Sequence, residues 1–157
     1  MYSKEEIKQL HLRFWASFGK YSEVHPLLLH KSRKWMLHRT KIKNVVLRFE
    51  ANRTNAKVIL ELNSRNEHLR LKAFEILERY KVILEDGFDE GLTWEFFHER
   101  EDSGKEVCRI YTALANVDIH RQNQWPEIYS FFIQNMLQLE DNFMQIRDVL
   151  REELKTQ

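Results

Sequence analysis

The chain has 157 residues, a length that suits one domain with its own core, and its four Gly and two Pro exclude collagen-like and low-complexity chains. Its formal net charge of +1 excludes a strongly basic domain dedicated to nucleic acid. The single cysteine, Cys108, excludes an intramolecular disulfide framework.

No apolar run approaches the roughly 20 residues that span a bilayer, and the N-terminus has no apolar signal sequence. We therefore expect a cytoplasmic protein without a membrane partner. Residues 1–157 are predicted to form a single domain. It consists of an N-terminal helix over 1–19 and two strand-strand-helix (ββα) units, over 44–84 and 92–153.

The first predicted element is the helix over residues 1–19. Ser3 and Glu6 have the spacing of a capping box, in which each side chain bonds the other residue's backbone. Apolar residues then recur at helical spacing in one wide stripe: Ile7, Leu10, Phe14, Trp15 and Phe18. We predict that this stripe, Trp15 included, lies in the core. Gly19 is predicted to end the helix.

The first ββα unit begins with a predicted hairpin. Two runs rich in β-branched and large apolar residues flank the polar segment 51–55, whose Asn residues tolerate turn conformations. After the second run the apolar period changes from two to about 3.6, which marks the change from strand to helix. Ser64 and Glu67 have capping-box spacing and predict the start of this helix.

The second ββα unit repeats this order. Strands are predicted over 92–100 and 106–114, with Gly104 in the turn between them. Strict alternation along the first of these strands places Trp94, Phe96 and His98 on one face and Thr93, Glu95, Phe97 and Glu99 on the other. The last helix is predicted to start near 123–126, with Pro126 in its first turn.

The second half of the last helix has a narrow apolar seam with alternating steps of four and three residues: Phe132, Met136, Leu139, Phe143, Ile146 and Leu150. Two arrangements satisfy such a seam. It lies along the first helix, the arrangement we favour, or it pairs with a second subunit in a homodimer.

These elements predict an α+β fold in the order α-ββα-ββα, with a four-stranded antiparallel sheet and the helices packed on one face. Two separate sheets or a half-open barrel are the alternatives. Residues 20–43 predict an irregular or partly helical connection, with a short strand near 35–37 as one possibility.

Alternation predicts that charged side chains of both signs project from the sheet face opposite the helices, which we call the polar face: Arg48, Glu50, Glu61, Glu95 and Arg109. Glu99 is expected there too. Such a surface can bind a polar ligand or a charged peptide. The alternative is a solvated face on which cross-strand ion pairs contribute only about 0.2–1 kcal/mol each.

A basic segment is the second candidate site. It combines five cations with one aromatic residue: Lys31, Arg33, Lys34, Trp35, Arg39 and Lys41. Lysine and arginine follow a phosphate backbone, and an exposed aromatic ring stacks on a base. This segment predicts nucleic-acid contact.

The motifs of metal and nucleophilic chemistry are missing from the sequence. A metal-dependent nuclease needs an acid on one strand and Glu-x-Lys on the next, but neither Glu50 nor Glu61 is followed by that lysine. The seven histidines show no His-Glu-x-x-His spacing, and Cys108 is expected in the core. We therefore predict no catalytic residues, no metal and no cofactor.

The whole chain resembles a bacterial family of unknown function, numbered 4268. The similarity rests on packing residues, which include Tyr2-Ser3-Lys4-Glu5-Glu6, Phe14-Trp15, Phe18-Gly19, Leu47-Arg48-Phe49, Trp94, Arg109-Ile110-Tyr111, Asn123-Gln124-Trp125-Pro126 and Phe131-Phe132. Members resemble stand-alone short proteins or C-terminal modules beside regions that look nuclease-like or restriction-associated. The resemblance implies an accessory or binding role near nucleic-acid metabolism or defence, and carries no active site over to this chain.

The sequence thus favours a non-catalytic binding or interaction domain that uses the polar face or associates with itself through the last helix. A nucleic-acid-associated accessory protein, linked to restriction or defence, is the first alternative. A metal-dependent nuclease or hydrolase is the second.

Overall fold

The structure, a computed structural model, describes residues 2–25 and 35–155, which contain two strand hairpins with helices before, between and after them. The elements are α1 (Lys4–Glu23), β1 (Val45–Ala51), β2 (Asn55–Leu62), α2 (Glu67–Arg79), α3 (Lys81–Leu84), β3 (Thr93–Glu99), β4 (Glu106–Ala115), a 3₁₀ turn (Gln122–Gln124) and α4 (Trp125–Lys155). The α+β class and the α-ββα-ββα order are confirmed, with the one-turn helix α3 added after α2.

The four strands form one open antiparallel sheet in the order β1-β2-β4-β3. The two hairpins therefore meet through their second strands, which places β2 and β4 in the centre. Leu60 of β2 lies opposite Leu47 on one side and Ile110 on the other, all fully buried. This row continues the apolar face on which the helices pack, and a single sheet takes the place of the two-sheet and barrel alternatives.

The capping box at the start of α1 is confirmed. The Ser3 hydroxyl accepts a hydrogen bond from the Glu6 N–H at 3.2 Å, and the Glu6 carboxylate accepts one from the Ser3 N–H at 3.0 Å. The prediction that Gly19 ends this helix is wrong, since α1 continues to Glu23. The Tyr21 ring lies 5.4 Å from the Tyr129 ring of α4, and this contact stabilises the extra turn.

The predicted capping box of α2 is also wrong. Asn66 caps this helix, because its side-chain oxygen accepts hydrogen bonds from the N–H groups of His68 and Leu69 at 2.9 and 3.4 Å. The Ser64 hydroxyl instead accepts from the Asn66 N–H at 3.2 Å. Asn is as good an N-cap as Ser, so spacing alone did not decide between the two.

The apolar seam of α4 is buried throughout: Phe132, Met136, Leu139, Phe143, Ile146 and Leu150. Contacts to α1, α2, α3, β2 and β4 cover this helix within the chain. The intramolecular arrangement therefore accounts for the seam. Contacts within residues 2–25 and 35–155 bury the seam residues so completely that they have no exposed surface for a second subunit.

Trp15 differs from the other aromatic residues of α1. Phe14 and Phe18 are buried, whereas Trp15 is 38% exposed and lies flat against Phe132, with ring centres 5.8 Å apart and 7° between the planes. Consecutive helical residues point about 100° apart, so Phe14 and Phe18 face the core while Trp15 lies at its edge. The prediction of a core position for Trp15 is wrong in this respect.

A β-bulge changes the predicted faces of β3. Glu95 lies opposite Arg109 and His98 lies opposite Val107, so β3 has one extra residue between these pairs. His98 therefore joins Glu95 on the polar face, and Glu99 moves to the helix face opposite Glu106. Strict alternation predicted the reverse for both residues.

None of the described helices is long and apolar enough to cross a membrane.

Candidate functional site

The polar face brings all five predicted charged residues together. Arg48 and Glu50 come from β1 and Glu61 from β2, while Glu95 and Arg109 come from the second hairpin. The register explains the grouping, because Glu61, Arg109 and Glu95 lie directly opposite one another across β2, β4 and β3. One cross-strand row thus carries an acid, a base and an acid.

Glu61 is the innermost charge of the face and is fully buried. Its Oε1 accepts a hydrogen bond from Nη1 of Arg48 at 2.8 Å, and its Oε2 accepts one from the side-chain amide of Asn63 at 3.3 Å. Nη1 of Arg100 lies 3.6 Å from the same Oε2. A buried carboxylate is stable only when paired and hydrogen-bonded, and these three side chains meet that requirement.

Arg109 is the second buried charge, with 6% of its surface exposed. Its Nε and Nη2 donate to Oε1 of Glu95 at 3.1 and 3.0 Å, and its Nη1 donates to Glu50 at 3.1 Å. The guanidinium also lies 5.0 Å from the centre of the Tyr111 ring, a cation–π distance. Arg109 thereby connects both edge strands across the centre of the sheet.

A cleft of about 480 Å³, which we call the polar-face cleft, is lined by charged side chains of this face: Arg48, Glu50, Glu61, Arg100 and Arg109. Glu95 lies outside this lining, although it pairs with Arg109. The other walls of the cleft come from His11 and Trp15 of α1, from Asn52 at the tip of the first hairpin, and from His120 in the segment before α4. The volume is within the range of small-molecule sites. The cleft therefore has a charged floor and a rim built by three parts of the chain.

The first hairpin fixes one side of this rim. The Asn52 side-chain oxygen accepts hydrogen bonds from the N–H groups of Thr54 and Asn55 at 2.8 and 2.9 Å, which confirms the expected turn chemistry. The segment after β4 binds to this turn through the Ile119 N–H, which donates to the Asn52 carbonyl at 3.0 Å. Asn52 thus positions both the turn and its neighbour.

Arg48 has unused donors in the floor of the cleft. It is 27% exposed, and among the described residues its only ion pair is the one with Glu61. Arg100, by contrast, divides its donors between Glu61 and the carboxylate of Asp102, whose pKa the guanidinium lowers. A planar guanidinium with free N–H groups binds a carboxylate or phosphate well.

Sequence reasoning missed several residues of the cleft. His98 reaches it through the bulge and lies 3.8 Å from Glu95, and Arg100 extends the charged network just beyond β3. His11 and His120 come from distant segments, with their rings 5.5 Å apart. Burial, and the charge of His120, lower the pKa of His11. Strict alternation places Arg100, like His98, on the helix face, so the sequence pattern carried no signal for any of these residues.

Only the second half of the predicted basic segment, Trp35, Arg39 and Lys41, lies in the part of the chain that the structure describes. Lys31, Arg33 and Lys34 lie outside the described residues. The Trp35 ring packs edge-on against Phe49 at 5.5 Å, so it is part of the interior more than a stacking platform. Arg39 donates to the Trp35 carbonyl at 2.9 Å, and Lys41 lines a different cleft, described below.

The described residues show neither a group of side chains that could hold a metal ion nor a reactive thiol. Across residues 2–25 and 35–155, no three His, Cys, Asp or Glu side chains are grouped so that they can hold a metal ion. Cys108 is fully buried, and burial raises its pKa to about 11 despite the neighbouring Arg70 guanidinium. Its thiol is therefore protonated at neutral pH and behaves as a small core residue.

No curated protein and no solved structure matches the chain. One family model does, over residues 10–147, which span every strand and all but the ends of the first and last helices. The chain therefore belongs to the family described as Domain of unknown function (DUF4268).

Proposed function

We propose that this protein is a non-catalytic binding domain and that its polar-face cleft binds a charged peptide segment of a partner protein. The observation that carries the proposal is the fully buried Glu61, which fixes Arg48 and Arg100 in the floor of the cleft. A buried carboxylate is stable only when it is paired with opposite charges. Glu61 therefore holds the two arginine side chains in one arrangement before a ligand binds.

The composition of the cleft supports a peptide as the ligand. Arg48 offers donors to an acidic side chain or a chain terminus, while Glu50, with about a third of its side chain exposed, offers an acceptor to a basic one. The exposed ring of Trp15 adds an apolar surface at the rim. Peptides present donors, acceptors and apolar groups together, whereas a simple anion presents only acceptors and would use only the Arg48 donors.

A peptide selection tests the proposal. Random peptides displayed on phage are selected against the protein, and the enriched sequences are synthesised and titrated by calorimetry. We expect enriched peptides to contain an acidic residue and to lose about tenfold in affinity with Arg48→Gln, equivalent to about 1.4 kcal/mol. Arg65→Gln, which removes an exposed arginine outside the cleft, is the matched control and should bind as the wild type does. Equal affinity for the two variants would contradict the proposal.

The nucleic-acid alternative has its own measurement. Labelled single- and double-stranded DNA and RNA are titrated with the protein at several salt concentrations, because phosphate contacts weaken steeply as salt rises. Salt-sensitive binding that survives Arg48→Gln would favour the accessory role in restriction or defence. The packed position of Trp35 supports this alternative less than the sequence did.

Self-association is a separate alternative. The apolar seam of α4, which first suggested a dimer, is buried within the chain and is not exposed to a second subunit. Sedimentation at several protein concentrations measures it directly, and a dimer would direct the search to another face of the molecule.

A further inference from the structure

A second cleft, which we call the cationic cleft, lies between the turn before β1, helix α2 and the C-terminal end of α4. Its volume is about 320 Å³. Five cationic side chains line it: Lys41, Lys43, Arg70, Arg151 and Lys155. Six apolar side chains line it as well: Ile42, Val45, Leu62, Leu69, Ala73 and Leu154.

The charge of this cleft is one-sided. Its described lining contains no carboxylate. Arg151 has an ion pair with Asp148, and Lys155 has one with Glu152, at 3.0 and 3.6 Å. Lys41 and Lys43 are exposed, and neither has an ion pair among the residues described here. The polar-face cleft balances its charges within the chain, whereas the cationic cleft leaves an excess of positive charge.

Arg70 supplies a fixed and buried cation in the wall of the cationic cleft. Only 5% of its surface is exposed, and its guanidinium donates to the Ser64 carbonyl at 2.8 Å and lies 3.4 Å from Glu106. Its buried Nε–H has no hydrogen-bond acceptor within the described part of the chain. The neutral thiol of Cys108 lies beside the guanidinium, but a thiol sulfur is only a weak acceptor. A buried donor without an acceptor is unfavourable, so this side of the cleft favours an acceptor.

Internal hydrogen bonds hold the turn that carries the two lysines. The fully buried Thr40 hydroxyl donates to the Val45 carbonyl at 2.7 Å and accepts from the Ile42 N–H at 3.2 Å. Lys41 and Asn44 have left-handed backbone angles, with φ of 66° each, which non-glycine residues adopt at a cost. The fold therefore sets the backbone positions from which the two lysine side chains extend.

We propose that the cationic cleft binds a small amphiphilic anion, in which a carboxylate or phosphate group contacts the lysine and arginine side chains and an apolar body lies against Leu69, Ala73 and Leu154. Charge complementarity requires the anion, and the apolar lining requires the body. An extended nucleic-acid backbone fits less well, because it pairs its phosphates with polar sugars and exposed bases that an apolar cavity of this size does not accommodate.

Calorimetric titration with decyl phosphate and with decanoate, both below their micelle concentrations, tests the proposal. We expect both to bind, and we expect amide resonances of Leu69, Ala73 and Leu154 to shift in the NMR spectrum of the labelled protein. Decanol and inorganic phosphate separate the two halves of the ligand, and each should bind at least about tenfold more weakly. Equal binding of decanol, or shifts confined to other residues, would overturn the proposal.

Two double variants separate recognition by the cleft from the general charge of the protein. Lys43→Gln with Lys155→Gln removes two exposed cleft lysines, and we expect the dissociation constant of decyl phosphate to rise about tenfold or more. Lys4→Gln with Lys8→Gln removes two exposed lysines of α1 and should leave the constant unchanged. Equal effects of the two pairs would overturn the proposal.

A lipid headgroup in a membrane presents the same chemistry as a free amphiphile. Co-sedimentation with vesicles of phosphatidylglycerol and phosphatidylcholine distinguishes the two sources. We expect the protein to remain in the supernatant while it binds dispersed decyl phosphate. Vesicle binding without binding of the dispersed ligand would overturn the proposal in favour of a membrane surface.

Discussion

The two faces of the sheet bury their residues by different means. On the helix face, Leu60 and Ile110 are covered by helices whose aromatic side chains meet at Phe132. On the polar face, Ile59 and Val107 are buried just as completely, yet they lie outside the main hydrophobic cluster. A sheet face can therefore exclude water without a helix packed over it.

The register shows what covers the apolar residues of the polar face. Ile59 lies directly opposite Arg48 on one side and Tyr111 on the other. Arginine stems and the tyrosine ring have large apolar surfaces, and they cover neighbouring groups while their polar ends pair with one another. The charged side chains of the polar face therefore also pack over its apolar residues. A single substitution there is expected to affect both the stability of the fold and the geometry of the cleft.

The largest effect is expected on the helix face. Phe132→Ala removes a fully buried ring that contacts Phe14, Phe18 and Phe49, with ring centres 4.8–6.3 Å apart. Such truncations cost about 3–5 kcal/mol, because the cavity does not collapse completely. Chemical denaturation measures the loss.

The matched control for this substitution is Phe97→Ala. Phe97 lies in the bulge of β3 and is 59% exposed, so its removal should change the free energy of unfolding by less than about 0.5 kcal/mol. Similar losses for the two variants would show that burial does not determine the cost here.

On the polar face, the largest effect is expected for Glu61→Ala. It leaves Arg48, Arg100 and the Asn63 amide without their common acceptor, at a cost of about 2–3 kcal/mol. A double-mutant cycle with Arg48→Ala sharpens the comparison. If the ion pair accounts for the loss, adding Arg48→Ala to Glu61→Ala should cost much less than Arg48→Ala costs alone.

Additive losses in this cycle would instead show that Glu61 and Arg48 act independently, through packing. The polar face would then resemble the helix face more closely than its charges indicate.

The sequence predicted the fold well where local rules decide the outcome. Alternation assigned Arg48 and Glu61 to one face, and periodicity identified the seam that α4 buries. Alternation failed at His98, because the inserted residue of a bulge depends on how two strands pair and not on either strand alone. The rule that a glycine ends a helix failed for a similar reason at Gly19, where a contact with α4 extends the helix.

The sequence predicted the residues in the floor of the candidate site but not those in its rim. The five charged residues of the polar face follow from strand alternation. The rim joins His11 to His120 across more than a hundred positions of the chain, and only the packed structure brings such residues together. The cationic cleft has the same character, since Lys43 and Lys155 line one cavity only after folding.

A smaller effect is expected at the rim of the polar-face cleft. Asn52→Ala removes the acceptor for the N–H groups of Thr54 and Asn55, and we expect a loss of about 1 kcal/mol, measured by thermal denaturation. The exposed Thr54 is a suitable control, because Thr54→Val removes its hydroxyl hydrogen bond to Asn52 but keeps its backbone one. Equal losses would show that the side-chain contact holds the turn.

The smallest effect is a pH dependence that comes from His11, also at the rim. Burial lowers the pKa of His11 below the ordinary value of 6.5, and so does the neighbouring His120. The unfolded chain therefore binds a proton at this residue more readily than the folded protein does. The free energy of unfolding falls as the pH drops below about 6.5, and the loss stops increasing once the pH is below the pKa in the folded state.

Urea denaturation of the wild type and of His11→Gln at a series of pH values from about 7.5 to about 5 isolates this contribution. The difference in stability between the two proteins should move in favour of the variant as the pH falls. His68→Gln, at an exposed position of α2, is the matched control and should follow the wild type. A constant difference between His11→Gln and the wild type would show that the rim histidine is as freely protonated as one in water. In that case the water exclusion that the polar face achieves in its floor would not extend to its rim.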